Sequence, residues 1–326
     1  MEVEFRRVDW PFTTPFRISY QVRAAAETVW VCLKDGNLTG RGEALGVSYH
    51  GETADQLLIQ LRSVHKALTG GVRREQLDSL LPAGGARNAL DCALWDLEAK
   101  RAGRRAWELA GIAAVRRLRT VYTLGLGSPQ EMGERAAGEA RPFPLLKLKL
   151  GGEGDVERVQ AVKRARPDAE IIVDANQAWN ERQLRTFTPM LADLGVRLIE
   201  QPLPVGHDDL LSTFKSLVPL CADESCQTTS SLPALTGKYD YINIKLDKTG
   251  GLTEALLLAQ AARAAGFKLM VGNMAGSSLS MAPGFIVGQF CDFVDLDGPL
   301  LAASDVPHPI RYEGNEMSIP EPDLWG

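Results

Sequence analysis

The chain has no Cys-x-x-Cys pair, no His-x-x-x-His spacing, no Gly-x-Ser-x-Gly elbow and no Walker-type phosphate loop. Those absences move zinc hydrolases, α/β-hydrolases and P-loop enzymes out of the front rank. Its five cysteines (Cys32, Cys92, Cys221, Cys226, Cys291) are odd in number and widely spaced, so they read as mostly buried thiols rather than a disulfide framework. Apolar runs are short, such as Ile171 to Val173 or Ala255 to Ala259. A membrane span needs roughly 20 such residues, so no bilayer crossing is expected. Residues 1–10 carry Glu2, Glu4, Arg6, Arg7 and Asp9 and hold no apolar leader core, which points to the cytoplasm. Basic arms are missing too. The 36 Lys and Arg are mixed with 41 Asp and Glu for a net charge of −5, which argues against nucleic acid as a partner.

What is present is an ordinary globular composition, 45% apolar and 24% charged over 326 residues. That length favours about two domains. The first third reads as α+β: Glu27–Lys34 and Leu38–Leu45 flank the turn Asp35-Gly36-Asn37, and helices are expected over Thr53–Leu68 and Ala86–Ala110. In the second helix Leu90, Ala93, Leu94 and Leu97 form one apolar stripe, Gly103 is a candidate interruption and Gly111 ends it.

From about Arg116 short strands alternate with helical stretches. The strands are Arg119–Leu124, Leu145–Leu150, Glu170–Asp174, Arg197–Glu200, Leu217–Asp223, Tyr241–Leu246, Phe267–Gly272 and Phe290–Asp297. Their ends recur about every 25 residues, the length of one strand plus one helix. Eight such units make a TIM-type barrel, whose chemistry sits at the C-terminal strand ends. A C-terminal hairpin over Arg311–Ile319, turning at Gly314-Asn315, is placed to return to the first domain.

Ionisable residues stand at these strand ends, where a strand buried on both faces favours apolar ones. Lys147 and Lys149 are two apart and share a strand face. Asp174, Glu200 and Asp223 close the third, fourth and fifth strands, and Lys245 the sixth. A single carboxylate there is commonly a helix cap or a surface charge. Six ionisable residues in register on five consecutive units form a constellation. Three converging carboxylates repel one another unless a cation lies between them, and an all-oxygen set suits Mg²⁺. Lys149 and Lys245, on opposite sides of an eight-strand barrel, face one carbon from both flanks, as a 1,1-proton transfer requires. The Lys147 ammonium, together with the metal, is expected to press on Lys149 and make it a better base.

The segments KLKL, VDANQAW, IEQPLP, CADES and NIKLDKTGGLTEAL resemble the enolase superfamily, specifically its muconate-lactonizing-enzyme-like subgroup and, within it, the dipeptide epimerases. The resemblance implies an α/β fold, a modified (β/α)7β TIM-type barrel over residues 116–300. An α+β capping domain would span 1–115, completed by the C-terminal segment 301–326. It also implies Lys149 and Lys245 as the acid/base pair, Mg²⁺ on Asp174, Glu200 and Asp223, and inversion of the α-carbon of a dipeptide's C-terminal residue. Asp295 and Asp297, two apart in FVDLDGP, would hold the substrate ammonium; Thr123, Lys147, Asn273 and Ala275 would line the substrate. In some relatives a cap-loop arginine pairs with an acidic second side chain. Here the segment is PFRISYQVRA, Gln21 occupies one such place, and Arg23 serves only with a different loop path. Arg17 and Arg23 as plain surface charges is the competing expectation. The alternatives are N-succinylamino-acid racemase or o-succinylbenzoate synthase, muconate cycloisomerisation, and a catalytically silent ligand-binding barrel. The preferred dipeptide and a homo-oligomeric state are left open.

Overall fold

The computed structural model describes residues 1–326. A three-stranded antiparallel sheet comes first: β1 (Glu2–Ile18), β2 (Gln21–Asp35) and β3 (Leu38–Ala44), in that order. The β2–β3 hairpin turns at Gly36, whose φ of +57° suits a residue without Cβ. β1 goes beyond the hairpin expected from sequence. Val3 and Phe5 pack on the cap's core while the alternating Glu2 and Glu4 face outward, a half-buried alternation that Arg6-Arg7 and Pro11 obscure.

Behind this sheet lie α1 (Ala54–Ser63), α2 (His65–Thr69), α3 (Gly85–Ala102) and α4 (Ala106–Leu109). Thr53 starts α1 through a reciprocal cap with Gln56. The single helix expected over Thr53–Leu68 is interrupted at Val64. The one expected over Ala86–Ala110 stops at Gly103, which is left-handed at φ +59° and closes α3. α3 lies directly on β3: a Cβ on Gly42 would stand 2.0 Å from the Ala89 carbonyl oxygen. Gly42→Ala is therefore expected to destabilise the fold by about 1–3 kcal/mol, read as a lower urea midpoint at unchanged slope.

β4 (Leu118–Arg119) leads into the second body. There β5 (Tyr122–Leu124), β6 (Leu145–Lys149), β7 (Glu170–Asp174), β8 (Val196–Glu200), β9 (Leu220–Ala222), β10 (Tyr241–Lys245), β11 (Lys268–Gly272) and β12 (Phe293–Val294) form one sheet in sequential order. Every neighbouring pair in it is parallel. The bridge Thr120–Val294, with the Val121 amide donating to the Val294 carbonyl at 2.9 Å, brings the last strand back to the first and closes the barrel. The expected eight units are present, with shorter ends. The first expected strand divides at Thr120, and the eighth stops at Val294, so Asp295 and Asp297 lie in the loop beyond it.

The C-terminal hairpin, β13 (Tyr312–Glu313) and β14 (Glu316–Met317), does not join the cap sheet. It pairs with β4, and the Asn315 carboxamide donates to the carbonyls of Thr120 and Leu145. The return to the cap is made by the chain end instead. The Trp325 indole donates to the carbonyls of Arg41 and Cys92, and the Gly326 amide to Asp96.

Inside the barrel one residue from each strand position forms an apolar layer: Val121, Leu145, Ile172, Leu198, Cys221, Tyr241, Met270 and Phe293. Two residues further along each strand, on the same inward face, stand Thr123, Lys147, Asp174, Glu200, Asp223, Asn243, Gly272 and Asp295. Each inward column thus passes from an apolar plug to a polar floor in one step of the pleat, and this builds the site.

Candidate active site

The parallel register sets Lys149 opposite Asp174 and Asp174 opposite Glu200, so side chains of three adjacent strands share one level. Asp174, Glu200 and Asp223 are all buried, and each offers an oxygen within 4.8 Å of the others. Lys149 Nζ donates to Asp174 Oδ2 at 2.6 Å, and Lys245 Nζ to Asp223 Oδ2 at 2.7 Å. β6 and β10 are four strands apart in an eight-strand barrel, so the two amines reach the cluster from opposite sides. Gly272 on β11 makes room for one of them, since a Cβ there would stand 2.9 Å from Lys245 Cε.

Charge is dense and compensated. Burial raises the Glu200 pKa to about 7, with Asp174 repelling it further and Lys147 only partly offsetting the two. Asp174 and Asp223 are held below the usual range: burial opposes ionisation, but the adjacent lysines outweigh it. For Lys147 and Lys245 burial favours the neutral amine, and the surrounding acids overcome it and push both well above the ordinary lysine value. Lys147 does not stand as the free cation expected beside Lys149. Its Nζ lies 2.7 Å from both Glu200 Oε2 and Asp295 Oδ2 and 3.2 Å from Asp174 Oδ2, so three acids absorb its charge.

The donor set fits Mg²⁺. It is all oxygen and tightly grouped. The buried Glu200 Oε2, although close to Lys147, has no hydrogen bond of proper geometry and is left for a ligand.

Above this floor a cleft opens between cap and barrel. The barrel contributes Thr123, Lys149, Asp223, Lys245, Asn273, Ala275, Asp295 and Asp297 to its lining. Lys147, Asp174 and Glu200 are fully buried and do not line it. The Thr123 amide donates to Asp297 Oδ2 at 2.6 Å, and Asn273 donates to the Asp295 carbonyl while accepting from the Ala275 amide. Burial, then repulsion from Asp295, pushes the Asp297 carboxyl up to about 7. From the cap come Phe16, Ile18, Gln21 and Arg23. Arg23 is half-buried, it forms no ion pair, and burial lowers its pKa. Arg23 at the start of β2 thus lines the cleft, while Arg17 does not.

Four residues were not anticipated. Lys248 Nζ, wholly buried, lies 2.6 Å from Asp223 Oδ1, and Asn243 donates to Glu200 Oε1 at 2.8 Å. Gln201, at φ +33°, accepts the amides of Asp223 and Ser225 and so holds the backbone that carries Asp223 and Glu224. Glu224 presents a buried, unpaired Oε2 to the cleft, and burial raises its pKa to about 8. Lys248 and Asn243 were visible in NIKLDK as two more polar residues in a buried segment. Gln201 and Glu224 carried no such signal beyond adjacency to an acid.

The mandelate racemase/muconate lactonizing enzyme N-terminal domain family matches residues 1–111, and the enolase C-terminal domain-like family matches residues 131–322. The L-Ala-D/L-Glu epimerase of Escherichia coli K12 is 43% identical, covering 95% of this chain and 97% of that protein. The N-acetyl-D-glutamate racemase of Pseudoalteromonas sp is 41% identical over 91% and 94%. Among solved structures, an enolase family member from Agrobacterium tumefaciens with homology to dipeptide epimerases, holding sodium and L-Ala-L-Glu, superposes with a TM-score of 0.97. It is 42% identical and covers 99% of both chains. The dipeptide epimerase of Enterococcus faecalis V583, complexed with Mg and L-Leu-L-Tyr, gives 0.90 at 27% identity, covering 97% of this chain and 96% of that one. By fold, by the acids at its strand ends and by both family matches, this chain belongs to the mandelate racemase/muconate lactonizing enzyme family of the enolase superfamily.

Proposed function

We propose that the chain is a Mg²⁺-dependent dipeptide epimerase that inverts the α-carbon of the C-terminal residue, with L-Ala-L-Glu and its D-Glu epimer as the preferred pair. It is an isomerase of the epimerase and racemase class. The observation that carries the reading is the placement of two amines, Lys149 Nζ and Lys245 Nζ, on opposite sides of one carboxylate cluster. Asp174, Glu200 and Asp223 would hold the ion, which supplies positive charge for the substrate carboxylate as its α-carbon loses a proton. Whichever lysine starts neutral takes the α-proton, breaking C–H and forming N–H on that flank. The ammonium opposite delivers its own proton to the other face, and the configuration inverts. Asp295 and Asp297 receive the N-terminal ammonium, while Thr123, Asn273 and Ala275 shape that end of the cleft.

Arg23 is the natural partner for a glutamate side chain, being a guanidinium at the cleft with no acid of its own. Arg23→Gln is expected to raise KM for L-Ala-L-Glu by roughly 10- to 100-fold, the size of a lost charge-assisted hydrogen bond, and to move KM for L-Ala-L-Leu by less than about threefold. Equal shifts for both dipeptides would remove Arg23 from specificity. N-acyl amino acids fit less well, because an acyl group brings no cation to the two aspartates. All five cysteines are free thiols, which fits a reducing compartment such as the cytoplasm.

The reading is tested by α-deuteration. In D₂O with Mg²⁺, L-Ala-L-Glu is expected to exchange its glutamyl α-proton and accumulate the D-Glu epimer, and a chelator is expected to abolish both. No exchange from any L,L-dipeptide in a library would refute it.

A further inference from the structure

Glu43 on β3 is 1% exposed at the seam between cap and barrel, and no lysine, arginine or histidine pairs with it. Both oxygens are nevertheless filled. Oε1 accepts the Trp10 indole at 3.1 Å and the Ser277 amide at 2.9 Å; Oε2 accepts the Trp30 indole at 2.8 Å and the Ser277 hydroxyl. Burial still pushes the carboxyl up to about 7, a measure of how unfavourable a charge is in that place. An apolar residue would fill the seam with no such penalty.

The donors belong to the two walls of the cleft. Ser277 caps the helix Ser278–Gly288 and ends the loop of residues 273–276, of which Asn273, Met274 and Ala275 face the cleft. Trp10 lies in β1, the strand that sends Phe12, Phe16 and Ile18 to the opposite wall. The loop is held in a strained conformation. Ala275 sits at φ +80°, and Gly276 at φ +142° approaches so closely that a Cβ there would lie 2.8 Å from Glu43 Oε1.

We infer that Glu43 is a positioning residue for substrate binding, a carboxylate that fixes the spacing between the loop of residues 273–276 and β1. This rests on the epimerase reading above. Glu43 touches no reacting atom. It tethers two walls that come from different parts of the chain, and substrate fit follows from their separation.

Four donors on one group give a specific test. In E43Q the amide oxygen can face Trp10 and the Ser277 amide, and its NH₂ then meets the Trp30 N–H, which cannot accept; the Ser277 hydroxyl can reverse. E43Q is expected to raise KM for L-Ala-L-Glu at least tenfold with kcat within about threefold. Trp30→Phe removes the opposing N–H, so W30F/E43Q should return KM to within about threefold of W30F alone. A wild-type KM in E43Q, a fall in kcat at constant KM, or a double variant no better than E43Q would each overturn the inference. Should E43Q not fold, Ser277→Ala decides: KM rises three- to tenfold if the tether acts as inferred, and an unchanged KM overturns it. Wild-type enzyme is assayed in parallel. Absence of α-proton exchange there refutes the epimerase reading itself, whereas exchange in wild type with unmoved variants refutes only the role of Glu43.

Discussion

Lys149→Ala and Lys245→Ala are each expected to lower epimerisation by at least ~10³-fold, within the range for losing a positioned acid or base. Each is expected to retain α-proton exchange from one stereoisomer only, and the two variants from opposite ones. The asymmetry follows from the fold. The two nitrogens approach the carboxylate cluster from β6 and β10, on opposite sides of the barrel, so each serves one face of the α-carbon. An alanine at one side leaves the other amine able to remove and return a proton on its own face, which exchanges without inverting. Separate incubation of L-Ala-L-Glu and L-Ala-D-Glu with each variant in D₂O, followed by mass and chiral analysis, reads this directly. If both variants lost exchange of the same stereoisomer, the two amines would be acting on a single flank. The two-base account would then be wrong.

The barrel was legible in the sequence because its repeat is physical. A strand buried on both faces is a short apolar run, a crossover helix has a minimum length, and the two together recur near 25 residues. The floor of the site was legible for the same reason: Lys149, Asp174, Glu200 and Asp223 are ionisable exceptions to an apolar pattern, and the pleat puts them on one inward face. What could not be read was anything set by contacts between distant segments. The division of the first strand at Thr120 depends on Asn315, almost 200 residues away, and the compensation of Lys147 depends on Asp295 coming round the closed barrel. Glu43 carries no signal of its own in the sequence; only the approach of Ser277 shows that it is enclosed. β1 was hidden differently, because its buried face covers so little of it that charge dominates the pattern.

Asp297→Asn is expected to raise KM for L-Ala-L-Glu by roughly 10- to 100-fold, as for the loss of a hydrogen bond between charged partners, and to leave N-acetyl- or N-succinyl-glutamate unaffected or bound slightly better. Lys147 and the Thr123 amide already engage one oxygen each of Asp295 and Asp297. Burial first, and then the repulsion between the two carboxylates, hold Asp297 at about 7. A substrate ammonium relieves that repulsion; an acyl group cannot. The sign of the pH dependence follows. Below about pH 7 Asp297 holds a proton that must leave before the ammonium can bind to a carboxylate, so dipeptide KM is expected to climb as pH falls from about 8 to about 6, approaching tenfold per unit. The carboxamide of the Asp297→Asn variant cannot titrate, and the KM of that variant should be flat over the same window. KM measured against pH for both proteins, with dipeptide and N-acyl substrates side by side, separates the two readings of the site. Equal losses for both substrate classes, or a pH slope that survives in the variant, would show that the aspartates do not recognise an ammonium.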